Sequence, residues 1–153
     1  MFKLFHKILK RSFDYTLYFL ALSFAITISL VRILVWMIEE QHFPSELYLF
    51  IGHTHIHHYT YGFLIISLAA IITSVSREIT QVTRNFLAII FGVGLALVID
   101  EFGMWVAFNQ DYWNLTSRAA ILLTLFILVA AAWTLGHREK KREKLLHRRN
   151  NIL

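Results

Sequence analysis

The stretch FLAIIFGVGLALVIDEFGMWVAF, residues 86–108, decides the fold class of this chain. Apart from the carboxylates of Asp100 and Glu101, it is uncharged and mainly apolar. A helix of about 17–25 apolar residues is long enough to cross the hydrocarbon core of a bilayer. This stretch therefore predicts a transmembrane helix. Carboxylates within such a helix are costly, so chains that retain them usually use them.

Three further segments share this character, and together the four predict an all-α, membrane-embedded four-helix bundle. The predicted spans lie near residues 16–38, 59–75, 86–108 and 119–135. The chain has 153 residues, of which 57% are hydrophobic, and its mean hydropathy is +0.55. These values leave no room for a soluble domain. We expect one membrane domain over residues 1–153, with a basic tail over residues 136–153.

The distribution of Lys and Arg predicts the orientation of the bundle. Thirteen of the 15 basic residues lie in the amino-terminal segment, in the connection between the second and third spans, or in the tail. Because basic segments are retained in the cytoplasm, both termini are predicted to be cytoplasmic. The tail is expected to contact anionic lipid head groups. Since the basic residues flank apolar spans, we do not expect the chain to bind nucleic acid.

The first outer loop is predicted to contain a short interfacial helix. Pro44 suits its first position, Phe50 and Ile51 share one face with Leu47, and Gly52 suits the residue after its end. Thr54 would then cap the second span, so that this span begins with the histidines.

Four histidines stand within six residues at the start of the second span: His53, His55, His57 and His58. The third span runs outward, which places Asp100 roughly 12 Å below the outer boundary. Arg32 on the first span lies at a similar depth by the same arithmetic. A metal ion would satisfy these imidazoles and carboxylates together. Since the chain has no cysteine, the donor set suits zinc, iron or manganese.

The candidate site residues divide into metal ligands and supporting groups. Asp100 and Glu101 diverge by about 100° around their helix, so one would ligate while the other orients a histidine or neutralises Arg32. Two alternatives stay open: hydration of the histidines among the lipid head groups without a metal ion, and a purely structural role for an ion pair with Arg32. The candidate ligands are His53, His55, His57, His58, Asp100 and Glu101, and the supporting residues are Arg32 and Tyr61.

Gly92, Ala96 and Asp100 recur at four-residue intervals on the third span, with Gly94 beside them. Small residues at this spacing allow helices to approach closely, so this stripe is predicted to pack against a neighbouring helix. Such packing would hold Asp100 inside the bundle.

Two resemblances arise at these residues. His53, His57 and His58 superficially resemble one histidine box of membrane fatty-acid desaturases and hydroxylases, but the other boxes of that family are missing here. A wider pattern resembles small integral membrane proteins of bacteria and archaea that have no settled activity. That resemblance implies a membrane fold and a prokaryotic inner membrane, but no chemistry. Its elements are His55, His57, His58, Gly62, Gly92, Gly94, Asp100, Glu101, Phe102, Tyr112 and Trp113.

The sequence leaves several functions open and names no reaction. The leading hypothesis is a metal site used for metal handling or for metal-dependent chemistry on a lipid or small molecule. The alternative is a non-catalytic membrane subunit or scaffold with structural histidines. Association with a second copy or with another membrane protein is compatible with both, and a transporter built from four short spans would require it.

Overall fold

A computed structural model of the protein describes residues 15–42, 44, 50–51, 54–76, 78–108 and 111–150, with the backbone alone for both strands and for residues 138–150. In chain order, the helices are α1 (Tyr15–Glu39), α2 (His58–Val75), α3 (Gln81–Asp100), α4 (Phe102–Ala107) and α5 (Leu115–Asn150). Two short strands, β1 (Phe50–Ile51) and β2 (Thr54–His55), lie between α1 and α2.

The predicted four-helix membrane fold is confirmed. Four helical segments are long and apolar enough to cross a bilayer: Tyr15–Glu39, His58–Val75, Gln81–Ala107 and Leu115–His137. Their mean hydropathies run from 1.5 to 2.3. The third segment comprises α3 and α4, which are separated at Glu101. The predicted basic tail continues α5 as helical backbone as far as Asn150.

The contacts define two ends of the bundle: the basic end, where α1 and α3 begin, and the histidine end, where α2 begins with His57 and His58. At the basic end, Thr16 near the start of α1 meets Asn85 near the start of α3. At the histidine end, His58 at the start of α2 meets Asp100 at the end of α3. Helices α1 and α3 are therefore parallel, and α2 is antiparallel to both.

The connection between α1 and α2 differs from its prediction. Phe50 and Ile51 were expected on an interfacial helix, but they form β1 and pair antiparallel with His55 and Thr54 of β2. The prediction of a helix is therefore wrong at Phe50 and Ile51, while residues 45–49 lie outside the described residues. Thr54 does not cap α2, because the extended backbone continues through His55 and α2 begins at His58.

Close helix contacts hold α3 at the centre of the bundle. A Cβ atom added to Gly62 of α2 would lie only 2.6 Å from the carbonyl oxygen of Gly94. On the side of α3 that faces α1, a Cβ atom on Gly92 would lie 2.5 Å from the Leu20 carbonyl oxygen. Only glycine allows backbones to approach this closely. The predicted packing of the small-residue stripe is confirmed, and it places Ala96 and Asp100 in the fully buried interior.

Candidate functional site

The site is built around Asp100, the last residue of α3, which is fully buried. Its Oδ1 atom accepts a 2.7 Å hydrogen bond from Nε of Arg32 on α1. A second guanidinium nitrogen, Nη2, lies 3.4 Å from the Asp100 carbonyl oxygen. Arg32 thus neutralises a carboxylate that would otherwise be isolated in the interior of a membrane protein.

The second oxygen of Asp100 accepts two further hydrogen bonds. Nε2 of His58 lies 3.0 Å from Oδ2, and the Tyr112 hydroxyl donates to the same atom. Burial, together with the nearby charge of Asp100, raises the pKa of the Tyr112 phenol. Tyr112 therefore keeps its proton and acts as a donor. Both oxygens of Asp100 are engaged by donors from α1, α2 and the connection before α5.

Glu101 lies at the break between α3 and α4, where its backbone angles are φ −96° and ψ 5°. Its Oε2 atom accepts the backbone N–H of Tyr59 at 3.1 Å. Its Oε1 atom lies 2.8 Å from Nδ1 of His57 and 3.6 Å from Nδ1 of His58. The two carboxylates therefore flank one imidazole, although their positions on a continuous helix would point them in different directions.

The position of His58 between two carboxylates has a chemical consequence. A neutral imidazole carries one N–H donor and one nitrogen lone pair. If Nε2 donates to Asp100, the lone pair on Nδ1 faces Oε1 of Glu101. Two electron-rich atoms would then oppose each other at 3.6 Å. A proton or a metal ion between them would remove that repulsion.

Aromatic residues cover Arg32 at the histidine end. The guanidinium carbon lies 4.7 Å from the ring centre of Tyr112 and 5.1 Å from that of Trp113. Cation–π contacts of this kind stabilise a guanidinium that has little access to water. The Trp113 indole N–H donates to Oε2 of Glu39 at 2.7 Å, which ties this cover to the end of α1.

A second contact fixes the start of α5 beside the site. The backbone N–H of Gly103 in α4 donates to the hydroxyl of Ser117 at 3.1 Å. A Cβ atom on Gly103 would collide with Asn114 and Ser117. This close approach positions the preceding Tyr112–Trp113 turn over Arg32.

The structure brings five of the eight predicted site residues together: Arg32, His57, His58, Asp100 and Glu101. The hydroxyl of Tyr61, a predicted supporting residue, lies 3.4 Å from the Ile56 carbonyl oxygen. His55 belongs to β2 and α2 begins at His58, so the prediction that the second span begins with the histidines is wrong at His55. The side chain of His55 is not described, and His53 lies outside the described residues.

Three members of the site were missed in the sequence. The sequence shows Tyr112 and Trp113 only as part of a wider pattern, and no local pattern links Glu39 to the site. Their proximity to Arg32 follows from how the connection before α5 folds back over α1. The available signal was an aromatic pair at a predicted membrane boundary, on the same side as a buried arginine.

Charge and ligand geometry define what the site can bind. With neutral imidazoles, the two carboxylates and Arg32 leave a net charge of −1. Within the described part of the chain, no group of three or more His, Cys, Asp or Glu residues is arranged to hold a metal ion. Ligands of one tetrahedral zinc ion lie about 3.4 Å apart, as calculated from metal–ligand distances of about 2.1 Å. The His57–Glu101 pair, at 2.8 Å, is in hydrogen-bonding geometry instead.

Comparison of the chain with protein-family models, with curated proteins and with solved structures gave no significant match. The resemblance to small bacterial and archaeal membrane proteins therefore stays a prediction.

Proposed function

We propose that this integral membrane protein binds one transition-metal ion, zinc, iron or manganese, at its histidine end. One observation carries the proposal: Oε1 of Glu101 has Nδ1 atoms of two consecutive histidines at 2.8 and 3.6 Å, in a site with excess negative charge. Oxygen and imidazole donors without sulfur suit these ions. A bound cation would also offset the net charge of −1.

The residues divide into ligands and a supporting pair. Glu101, His57 and His58 would supply three donor atoms, once His57 gives up its hydrogen bond to Glu101. A fourth would come from His53 or His55, in the segment that leads directly into α2. Asp100 would act through His58, because a carboxylate that accepts N–H from one imidazole nitrogen directs the other nitrogen towards the ion. Arg32 and Tyr112 would hold Asp100 in that orientation.

The site belongs to metal handling or to metal-dependent chemistry on a lipid or small molecule. A metal ion bound there would supply Lewis acidity or an activated water. Asp100 is already engaged by Arg32, His58 and Tyr112, so it would orient groups rather than move protons.

A second candidate function is a non-catalytic membrane subunit or scaffold. It is favoured by the fact that each oxygen of Asp100 and Glu101 already has a donor or an imidazole nitrogen within hydrogen-bond distance. In this case the network would only fix α1, α2 and α3 against one another. Its partner would be a second copy of the chain or another membrane protein.

Metal content separates the two candidates. The detergent-purified protein, stripped and reloaded with zinc, iron or manganese, is expected to retain about one ion per chain. A His57→Ala/His58→Ala variant should bind at least ten-fold more weakly, since two ligands are lost. The matched control is His42→Ala/His137→Ala, because both histidines are exposed. Their ring nitrogens lie near the Glu40 and Trp133 carbonyl oxygens, and their rings contact Trp36 and Trp133 rather than Glu101. Absence of binding by the wild type, or equal losses in both variants, would support the scaffold.

We further propose that the protein lies in a prokaryotic inner membrane, as the resemblance implies, and that its basic end faces the cytoplasm, because most Lys and Arg residues flank that end. Reporter fusions after Leu153 and at Glu78 should then give cytoplasmic signals, and a fusion at Glu46 should give an external signal. An external signal at Leu153 together with a cytoplasmic one at Glu46 would reverse the orientation.

A further inference from the structure

A cavity of about 540 Å³ opens at the basic end, far from the histidine site. It lies between α1, α2 and α3, where the flanking helices α1 and α2 leave part of α3 uncovered. Its interior is lined mainly by apolar side chains: Leu20, Ala69, Leu87, Ala88 and Phe91. From Arg84 to Phe91 the cavity follows seven residues of α3, or roughly 10 Å along the helix axis.

The mouth of this cavity is polar and basic. Arg84, Ser76, Thr73 and Thr16 line it. Arg84 is exposed, and it forms no ion pair with any carboxylate in the described part of the chain. The cavity thus combines an exposed cation at the membrane boundary with an apolar interior that extends towards the bilayer centre.

Neighbouring polar groups do not compete for Arg84. The Gln81 amide donates to Thr16 and to Asn85 at 3.0 and 2.9 Å, and Thr16 donates to Asn85 at 2.8 Å. These three side chains hydrogen-bond to one another and tie α1 to α3 beside the cavity. Arg84 is left as the group available to an external anion.

We propose that this cavity binds one anionic phospholipid. Its phosphate would contact Arg84 and the Ser76 hydroxyl, while an acyl chain would lie against Leu20, Ala88 and Phe91. Basic pockets between transmembrane helices recognise lipid phosphates through such charge complementarity. A free phosphate would contact Arg84 but gain nothing from the apolar interior. A zwitterionic phospholipid would gain the apolar contacts, but its ammonium group would offset the attraction between its phosphate and Arg84. The site is independent of the proposed metal site.

The test is native mass spectrometry of the delipidated full-length protein in detergent. The probes are phosphatidylglycerol, phosphatidylcholine with identical acyl chains, and inorganic phosphate. The wild type is expected to retain phosphatidylglycerol about five-fold better than phosphatidylcholine, since one basic group near a lipid phosphate contributes about that factor. Arg84→Gln should abolish the preference, and Arg84→Lys should keep it.

A matched pair on α2 tests whether the lipid occupies this cavity. The hydroxyls of Thr73 and Ser74 both donate to backbone oxygens of their own helix, but only Thr73 lines the cavity. Thr73→Leu should reduce retention of both lipids about five-fold, whereas Ser74→Leu should leave it unchanged. Equal retention of both lipids by the wild type, an unchanged preference in Arg84→Gln, or equal effects of the two leucine variants would overturn the proposal. Displacement of phosphatidylglycerol by inorganic phosphate at similar concentration would also overturn it, in favour of a phosphate site.

Discussion

Replacing Asp100 by Asn is expected to lower the free energy of unfolding by about 3–5 kcal/mol, because Arg32 would become a buried charge without its partner. The Arg32 side chain is only 14% exposed and Asp100 is fully buried, so water cannot replace the lost carboxylate. An Asn amide would also turn a donor towards either Arg32 or the Tyr112–His58 side. Reversible unfolding in detergent, followed by circular dichroism, measures the loss.

A double-mutant cycle provides the control for this effect. Arg32→Gln alone should also destabilise the protein, since Asp100 then stays buried without compensation. In Arg32→Gln/Asp100→Asn both charges are absent, and the loss should be smaller than the sum of the single losses by 1 kcal/mol or more. Strictly additive losses, or an Asp100→Asn variant within about 1 kcal/mol of wild type, would show that the ion pair does not stabilise the bundle.

Replacing Glu101 by Gln is expected to weaken metal binding at least 100-fold while leaving the Arg32–Asp100 ion pair intact. The amide keeps the shape of the side chain and still accepts the Tyr59 N–H, but it loses the charge that would bind the cation. Asp100→Asn would act on the metal only through His58, so it should weaken metal binding by about 10- to 100-fold. Competition titration with a zinc indicator gives both values.

The two carboxylate variants therefore have opposite profiles. Glu101→Gln should chiefly change metal affinity, and Asp100→Asn should chiefly change stability. If Glu101→Gln binds metal as tightly as the wild type, Glu101 is not a ligand. If Asp100→Asn costs more affinity than Glu101→Gln, the roles of the two carboxylates are exchanged.

Hydropathy and spacing predicted the helices and the common depth of the polar groups. A residue count along a transmembrane helix fixes the depth of Asp100 and Arg32 to within a turn, because the helix rise is constant. Small residues on α3 indicated which face would be buried. These features depend on local periodicity, which a single sequence displays directly.

The connections were predicted less well, for physical reasons. The choice between a helical and a paired backbone at Phe50–Ile51 depends on contact with Thr54–His55, which no periodicity reveals in so short a segment. The break at Glu101 interrupts a sequence that is apolar on both sides, so the pattern predicted one continuous helix. Tyr112 reaches Asp100 only because Gly103 and Ser117 bring the start of α5 against α4, a tertiary contact.

X-ray absorption spectroscopy of the zinc-loaded protein tests the proposed metal site most directly. The chain has no cysteine, so any protein-bound zinc must have nitrogen and oxygen ligands. We predict about four such ligands at about 2.0–2.2 Å, with the outer-shell scattering of at least two imidazoles, which should disappear in His57→Ala/His58→Ala. A shell of oxygen ligands without imidazole scattering, or a spectrum unchanged in that variant, would contradict the assignment of His57, His58 and Glu101 as metal ligands.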